Sequence, residues 1–177
     1  MSVKSSIYLI GFMGSSKTSV AAQIGRDYGE TVLDMDKMIE KREGRSIRKI
    51  FEERGEKYFR AIETEILAEA SAGDRKVVSC GGGIVLNPAN IRLMRESGII
   101  VLLVARPETT FERLRNDRSR PLLKDRMNVE CIRKMMLKRE KLYRNSADYI
   151  VRTNGKTIRE VAREVYESVY RAGQSSL

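Results

Sequence analysis

The stretch GFMGSSKT, residues 11–18, lies between two apolar segments of different character. The segment before it, IYLI (residues 7–10), is continuously apolar, as a buried strand is, and the segment after it, SVAAQI (residues 19–24), is typical of a helix. A glycine-bearing loop that carries Lys and Thr between a strand and a helix predicts a phosphate-binding loop, or P-loop. Its backbone N–H groups and the positive end of the helix dipole would hold anionic oxygens.

The motif also predicts which side chains act on a nucleotide. Lys17 is expected to reach the β- and γ-phosphates of ATP, and the Thr18 hydroxyl is expected to ligate Mg²⁺. The predicted ATP contacts are the end of the loop and the start of the helix: Gly14, Ser15, Ser16, Lys17, Thr18 and Ser19.

One position departs from the pattern G-x-x-x-x-G-K-[ST], because Ser16 stands where the pattern has glycine. If this position requires a positive φ, serine adds about 1–3 kcal/mol of backbone strain. Serine is also small enough to cap the following helix. Two interpretations stay open on the loop alone: a P-loop with weakened nucleotide binding, and a turn of Gly and Ser residues without a ligand.

Composition and charge narrow the classes of protein. The chain has 177 residues, which suits one domain, and it is 41% hydrophobic and 33% charged. The 34 Lys and Arg residues exceed the 24 Asp and Glu residues, for a net charge of +10. Because these charges alternate along the chain without a basic run, we expect anionic small molecules as partners, and neither a nucleic acid nor a membrane.

Cysteine and histidine usage adds two expectations. Cys80 and Cys131 lie far apart in sequence, and residues 1–4 do not resemble a signal peptide. We therefore expect reduced thiols in a cytoplasmic protein. The chain has no histidine, so acid–base chemistry falls to carboxylates.

Strand and helix patterns alternate along the whole chain. The run IIVLLV (residues 99–104) is apolar without alternation, which is typical of a strand covered on both faces of a parallel sheet. Asp34 and Asp36 follow a second predicted strand, and the glycines at 81–83 follow a third. These patterns predict an α/β domain whose ligands bind at the carboxyl ends of the strands. Placed two residues apart on a strand end, Asp34 and Asp36 are predicted to point the same way.

Several stretches together resemble the shikimate kinase family, which has a P-loop and the nucleoside-monophosphate kinase fold. They occur in the family's order and cover most of the chain. They are LIGFMG (9–14), LDMD (33–36), IF (50–51), GE (55–56) with FR (59–60) and Glu63, GGG (81–83), RPLL (120–123), and Arg139 with LY (142–143). The resemblance implies a three-layer α/β/α fold with a five-stranded parallel sheet in the order 2-3-1-4-5. It implies Mg²⁺- and ATP-dependent phosphorylation of the 3-hydroxyl of shikimate, a step of aromatic amino-acid biosynthesis. A monomer is expected.

The resemblance also implies roles for single residues. Asp34 would hold Mg²⁺ through water, and Asp36 would hydrogen-bond the acceptor hydroxyl and take its proton. Arg60 and Arg139 would bind the shikimate carboxylate, because a guanidinium matches a carboxylate with two parallel hydrogen bonds. Glu63 would orient Arg60 across one helical turn, and Gly82 would touch shikimate.

The remaining implied features surround the ATP. A substrate-binding segment would span about residues 35–63, and a lid would span about residues 115–127. Arg120 of the lid would close over the phosphates, Arg115 would stack on adenine, and Lys156 would contact ATP. Two other functions stay open: a kinase of the same fold with another acceptor, such as gluconate, and a non-enzymatic relative with a basic surface for an acidic partner.

Overall fold

The computed structural model describes residues 6–115 and 128–172, with side chains up to Tyr170. Its centre is a five-stranded sheet in the order β2-β3-β1-β4-β5, and every neighbouring pair is parallel. The predicted strand order and direction are therefore confirmed. The strands are Ser6–Ile10 (β1), Val32–Asp34 (β2), Val77–Ser79 (β3), Gly98–Val104 (β4) and Tyr149–Arg152 (β5).

Helices cover both faces of the sheet. They are Lys17–Tyr28 (α1), Met35–Glu43 (α2), Ile47–Ser71 (α3), Pro88–Ser97 (α4), Pro107–Leu114 (α5), Val129–Ser146 (α6) and Ile158–Ala172 (α7), and a 3₁₀ turn spans Ile84–Leu86. Alternate residues of β1 separate two cores. Tyr8 and Ile10 pack with α2, α3, α4 and α6, whereas Ile7 and Leu9 pack with α1 and α7. This arrangement confirms the three-layer α/β/α fold.

Polar side chains fix several helix starts. Ser46 directly precedes the helical pattern of residues 47–54, which predicts an N-cap there. The structure confirms it, because Ser46 accepts a hydrogen bond from the Lys49 N–H at 3.3 Å. The sequence likewise predicts that Thr157 caps the last helix, and in the structure Thr157 and Glu160 form a reciprocal capping box. The Thr157 hydroxyl accepts from the Glu160 N–H at 3.2 Å, and the Glu160 carboxylate accepts from the Thr157 N–H at 2.7 Å.

Two glycines differ from their predicted roles as helix ends. The sequence predicts that Gly55 ends a helix, but α3 continues beyond it through a kink, at φ 80° and ψ 173°. Gly98 is predicted to close α4, but it is extended and begins β4. A Cβ on Gly98 would lie 2.2 Å from the Ser6 carbonyl oxygen, so close strand packing explains this glycine.

The structure also tests the expectation of reduced thiols and shows whether its helices could cross a membrane. Both cysteines are free, and burial raises the pKa of the Cys80 thiol above its ordinary value. Within residues 6–115 and 128–172, no helix is both long and apolar enough to cross a bilayer.

Candidate active site

The carboxyl ends of three neighbouring strands, β2, β3 and β1, meet at one end of the sheet. β1 runs into the P-loop, β2 ends at Asp34, and β3 ends at Ser79 just before the glycines at 81–83. In the sheet register Ser79 pairs with Leu9 on one side and with Asp34 on the other. The predicted ligand edge therefore gathers the motifs that the sequence separates by tens of residues.

Ser16 adopts the left-handed conformation that the glycine of the pattern would adopt. Its φ is 70° and its ψ is 24°, and it is the only non-glycine residue with positive φ in the described part of the chain. The positive φ on which the predicted strain depends is thus confirmed. The cap that the size of serine would allow is not formed, because the Ser16 side chain makes no capping hydrogen bond to α1. A capping residue takes extended dihedrals that aim its side chain at the helix N–H groups, and Ser16 does not.

The Lys17 ammonium lies inside the loop. Its Nζ donates to the carbonyl oxygens of Gly11 at 2.8 Å and Phe12 at 3.1 Å. These contacts hold the cation beside the backbone that would cradle phosphates, so the charge is in place for an anion without a long side-chain movement.

A cluster of oxygen donors forms where α1 meets β2 and β3. The Thr18 hydroxyl donates to Asp34 Oδ2 at 2.7 Å and lies 3.3 Å from Ser79 Oγ. The other Asp34 oxygen accepts from the Lys37 N–H at 3.1 Å, so Asp34 also caps α2. The sequence analysis did not predict a role for Ser79. Its only signal in the sequence is that it is a polar residue at the end of a buried strand.

These oxygens fit Mg²⁺ in its usual protein setting. Among the described residues there is no group of three or more Asp, Glu, Cys or His side chains that could hold a metal. Mg²⁺ commonly takes one or two carboxylates, keeps several waters and shares phosphate oxygens with a nucleotide. Thr18, the last residue of the P-loop motif, and Asp34, which accepts its hydrogen bond, match that incomplete protein coordination.

Asp34 and Asp36 do not point the same way, and the prediction based on strand geometry is wrong. Asp34 is the last residue of β2, whereas Asp36 lies in the first turn of α2, where side chains follow the helical period. Asp34 faces Thr18, and Asp36 faces a separate cleft. The chain thus divides the two carboxylates between two pockets.

That cleft, which we call the arginine cleft, has a volume of about 380 Å³. Its walls come from Met13 of the P-loop, α2, the start of α3, the glycines at 81–83 and α6. Phe51 and Phe59, with ring centroids 4.6 Å apart, supply apolar surface. The described residues that line it with a charge are Asp36, Glu40, Glu63, Arg48, Arg60 and Arg139.

Arg60 is fixed from two sides. Its Nη1 donates to Glu63 Oε2 at 2.7 Å and its Nη2 donates to Glu56 Oε1 at 3.1 Å. The guanidinium lies against the Gly83 backbone, so closely that a Cβ on Gly83 would be 2.4 Å from either terminal nitrogen. The expected orienting contact from Glu63 is therefore present, and Gly83 provides the space for the guanidinium.

Glu63 is a buried carboxylate behind this arginine. Its side chain is 1% exposed, and Oε1 has no hydrogen-bond partner among the described residues. Burial raises the pKa of Glu63 above its ordinary value, and the Arg60 charge partly opposes that rise. The pair holds Arg60 in one orientation toward the cleft.

Arg139 reaches the same cleft from α6. It lies beside Tyr143, one turn further along that helix, and the Tyr143 hydroxyl donates to the carbonyl oxygen of Gly82. Burial raises the pKa of Tyr143, with Arg139 acting in the opposite direction. Two arginines from different helices thus line one cleft together with the glycines at 81–83.

Two of the residues expected near ATP, Arg115 and Lys156, form ion pairs with glutamates. Arg115 pairs with Glu112 at 3.1 Å with its side chain 56% exposed, and Lys156 pairs with Glu164. Arg113, which the sequence reasoning missed, donates to the Gly14 carbonyl oxygen at 2.9 Å and to Thr153 Oγ1 at 3.3 Å. It joins the P-loop to the end of β5. Arg120 and residues 116–127 of the expected lid lie outside the described residues.

Comparisons with known proteins converge on one family. The family model described as shikimate kinase matches residues 13–170. A shikimate kinase of Caldanaerobacter subterraneus subsp. tengcongensis is 42% identical over 90% of this chain and 92% of its own. One from Dehalococcoides mccartyi is 38% identical over 96% of each chain.

Solved structures agree with the sequence relatives. A shikimate kinase from Acinetobacter baumannii, in complex with shikimate, superposes with a TM-score of 0.90 at 33% identity, over 95% of this chain and 94% of that one. The enzyme from Aquifex aeolicus gives a TM-score of 0.80 at 36% identity, over 94% and 97%. A gluconokinase from Sinorhizobium meliloti shares the fold alone, at 17% identity and a TM-score of 0.59.

Proposed function

Because the chain belongs to the shikimate kinase family, we propose that its P-loop and its arginine cleft are the two halves of one phosphoryl-transfer site. The chain is an ATP-dependent kinase that transfers the γ-phosphate of ATP to the 3-hydroxyl of shikimate, in the biosynthesis of aromatic amino acids. Its residues divide this chemistry between an acceptor side and a nucleotide side.

One observation carries the residue assignment. Arg60 of α3 and Arg139 of α6 line a single cleft together with Asp36 and Gly82, and Met13 of the P-loop closes the same cleft. Shikimate carries a carboxylate at one end of its ring and hydroxyls at the other. Two guanidiniums and a carboxylate that line one cleft with a P-loop residue complement both groups.

On the acceptor side, Arg60 and Arg139 bind the carboxylate of shikimate, and Glu63 keeps Arg60 oriented. The Gly82 backbone contacts the ring. Asp36 accepts a hydrogen bond from the 3-hydroxyl and takes its proton as the new O–P bond forms. The bond between the γ-phosphorus and the bridging oxygen of ATP breaks, and ADP is the leaving group. Since the bound acceptor is held in place, phosphoryl transfer needs mainly positioning and charge neutralisation.

On the nucleotide side, Gly14, Ser15, Ser16 and Ser19 surround the phosphates with backbone N–H groups and hydroxyls. Lys17 exchanges its contacts with the Gly11 and Phe12 carbonyl oxygens for the β- and γ-phosphates. Thr18 and Asp34 hold Mg²⁺, which when bound neutralises charge on the phosphate oxygens. Arg120 adds positive charge over the transferring group, and Lys156 contacts ATP.

The domain organisation that we propose is a single kinase domain over residues 1–177. It includes a substrate-binding segment at about 35–63 and a lid at about 115–127. We also propose a cytoplasmic monomer without a nucleic-acid or membrane partner. The interleaved charges support the part of this proposal that concerns nucleic acid.

A coupled assay of ADP release tests the function. With ATP, Mg²⁺ and millimolar shikimate, we expect turnover well above the ATPase background, and with gluconate in place of shikimate we expect none. ADP release that does not rise with shikimate would contradict the assignment. Faster turnover with gluconate than with shikimate would identify a kinase with another acceptor.

A further inference from the structure

A third guanidinium lines the arginine cleft in addition to the two assigned to the shikimate carboxylate. Arg48 lies in the first turn of α3, next to Ile47 and one turn before Phe51, all of which face the cleft. Its side chain is 42% exposed, against 21% for Arg60. Arg48 is thus the outer arginine, and Arg60 is the inner one.

The charge balance of the cleft gives Arg48 a function. Among the described residues, three arginines and three acids line the cleft, so their formal charges cancel with Arg48 present. Without Arg48, two guanidiniums would face Asp36, Glu40 and Glu63. This lining would then carry a net negative formal charge, which opposes entry of a carboxylate.

The contacts of the inner arginine increase the need for a further cation. Arg60 is already bonded to Glu56 and Glu63, which offset much of its positive charge. Arg48 is joined through Nε to Glu52 at 2.8 Å, and Glu52 is 52% exposed. Because a pair of half-exposed side chains on one helical face is weak, Arg48 can leave Glu52 for an anion in the cleft.

We propose that Arg48 is a further acceptor-binding residue, which attracts the carboxylate of shikimate to the cleft and contacts it from the solvent side. This inference rests on the proposed function and deepens it. Arg60 and Arg139 hold the carboxylate at the inner wall, and Arg48 supplies the positive charge at the mouth. Its contribution belongs to binding and not to the transfer step, because the contact is the same before and after the phosphoryl group moves.

The chain offers a matched control. Arg45 precedes the same helix, is 40% exposed and pairs with Glu53, as Arg48 pairs with Glu52. It is not among the described residues that line the cleft. Replacing Arg45 removes the same charge and a similar surface ion pair, so it measures the effect of charge and pairing without the cleft contact.

The experiment compares steady-state kinetics and calorimetric shikimate binding for wild type, Arg48→Ala, Arg48→Lys and Arg45→Ala. Arg48→Ala is expected to raise the KM and Kd for shikimate by about 5–20-fold, with kcat and the KM for ATP within about twofold of wild type. Arg48→Lys is expected to recover part of the loss, and Arg45→Ala to match wild type. Added salt should lower kcat/KM less in Arg48→Ala than in wild type.

The methyl ester of shikimate identifies the atom that Arg48 recognises. The ester has no negative charge, so the ratio of kcat/KM between wild type and Arg48→Ala should approach one. A penalty that persists with the ester, an equal penalty in Arg45→Ala, or an unchanged shikimate Kd in Arg48→Ala would each overturn the proposal while leaving the proposed function intact. Failure of wild type itself to bind and phosphorylate shikimate would overturn both.

Discussion

The P-loop and the arginine cleft share an edge of the sheet but are built in different ways. The P-loop consists of consecutive residues. Loops of this kind bind phosphates mainly through backbone N–H groups. The cleft takes its groups from side chains that lie as far apart in sequence as Asp36 and Arg139. A local motif tolerates one strained residue, Ser16, whereas the cleft depends on packing between separate helices.

Removal of Lys17, the cation of the P-loop, is expected to give the largest difference between the two regions: turnover is lost and shikimate binding is kept. Lys17→Ala is expected to lower kcat by at least about 10³-fold, because the charge on the transferring phosphoryl group loses its loop cation. Shikimate binding without nucleotide should stay within about twofold of wild type. The coupled assay and calorimetry measure both, and Lys138→Ala on the exposed face of α6 serves as the control. Loss of shikimate binding together with turnover would show that the regions are not independent.

A methyl group on Gly83 should damage the cleft and spare the P-loop. The Arg60 guanidinium must move, because the added Cβ would lie 2.4 Å from its nitrogens. Gly83→Ala is therefore expected to raise the KM for shikimate by about 10–100-fold, because a charge-assisted hydrogen bond to the shikimate carboxylate is lost. The KM for ATP should hardly change. Because the displaced group is the flexible end of a side chain, the melting temperature should fall little, and a KM near that of wild type would refute the Arg60 assignment.

Ser16→Gly tests the strain within the P-loop by a smaller effect. Glycine adopts the observed φ of 70° without a Cβ penalty, so the free energy of unfolding should rise by about 1 kcal/mol. The KM for ATP is expected to fall by about two- to fivefold if the strain opposes nucleotide binding. Ser19→Gly, in the first turn of α1 at a position without a positive φ, is the stability control and should destabilise by about 0.5–1 kcal/mol. Equal destabilisation by both changes would show that the loop has adapted to serine.

The smallest effect is expected from the titration of Glu63. Burial raises its pKa in the folded protein above the ordinary value of 4.5 that it keeps when unfolded. Between those two values the folded protein holds a proton that the unfolded chain has lost, so the free energy of unfolding falls as pH rises. Glu63→Gln removes this titration. Asp36 and Glu56 titrate in both proteins, so their contributions cancel when the two free energies of unfolding are subtracted.

Urea unfolding across a pH series measures that difference. The stability of wild type relative to Glu63→Gln should decline as pH rises from about 4.5 upward and then level off. A difference that does not vary with pH would mean that Glu63 has an ordinary pKa and that its burial has no electrostatic cost.

The two regions also differ in how far the sequence predicts them. The P-loop, the parallel sheet and the cap at Ser46 follow from local patterns, and the structure has them. Asp36 lies near the expected edge but on a helix, because β2 ends too early for both aspartates to share a strand. Ser79, Arg48 and Arg113 were missed, since each becomes notable only when distant elements meet at the edge of the sheet.

Conservative replacement of the paired arginines tests whether the cleft binds a carboxylate between two guanidiniums. Shikimate binding by calorimetry, without nucleotide, is compared for wild type, Arg60→Lys and Arg139→Lys. Lysine keeps the charge but cannot form two parallel hydrogen bonds, so each change is expected to raise the Kd by about tenfold or more while kcat falls little at saturating shikimate. A Kd within twofold of wild type in both variants would contradict the carboxylate site.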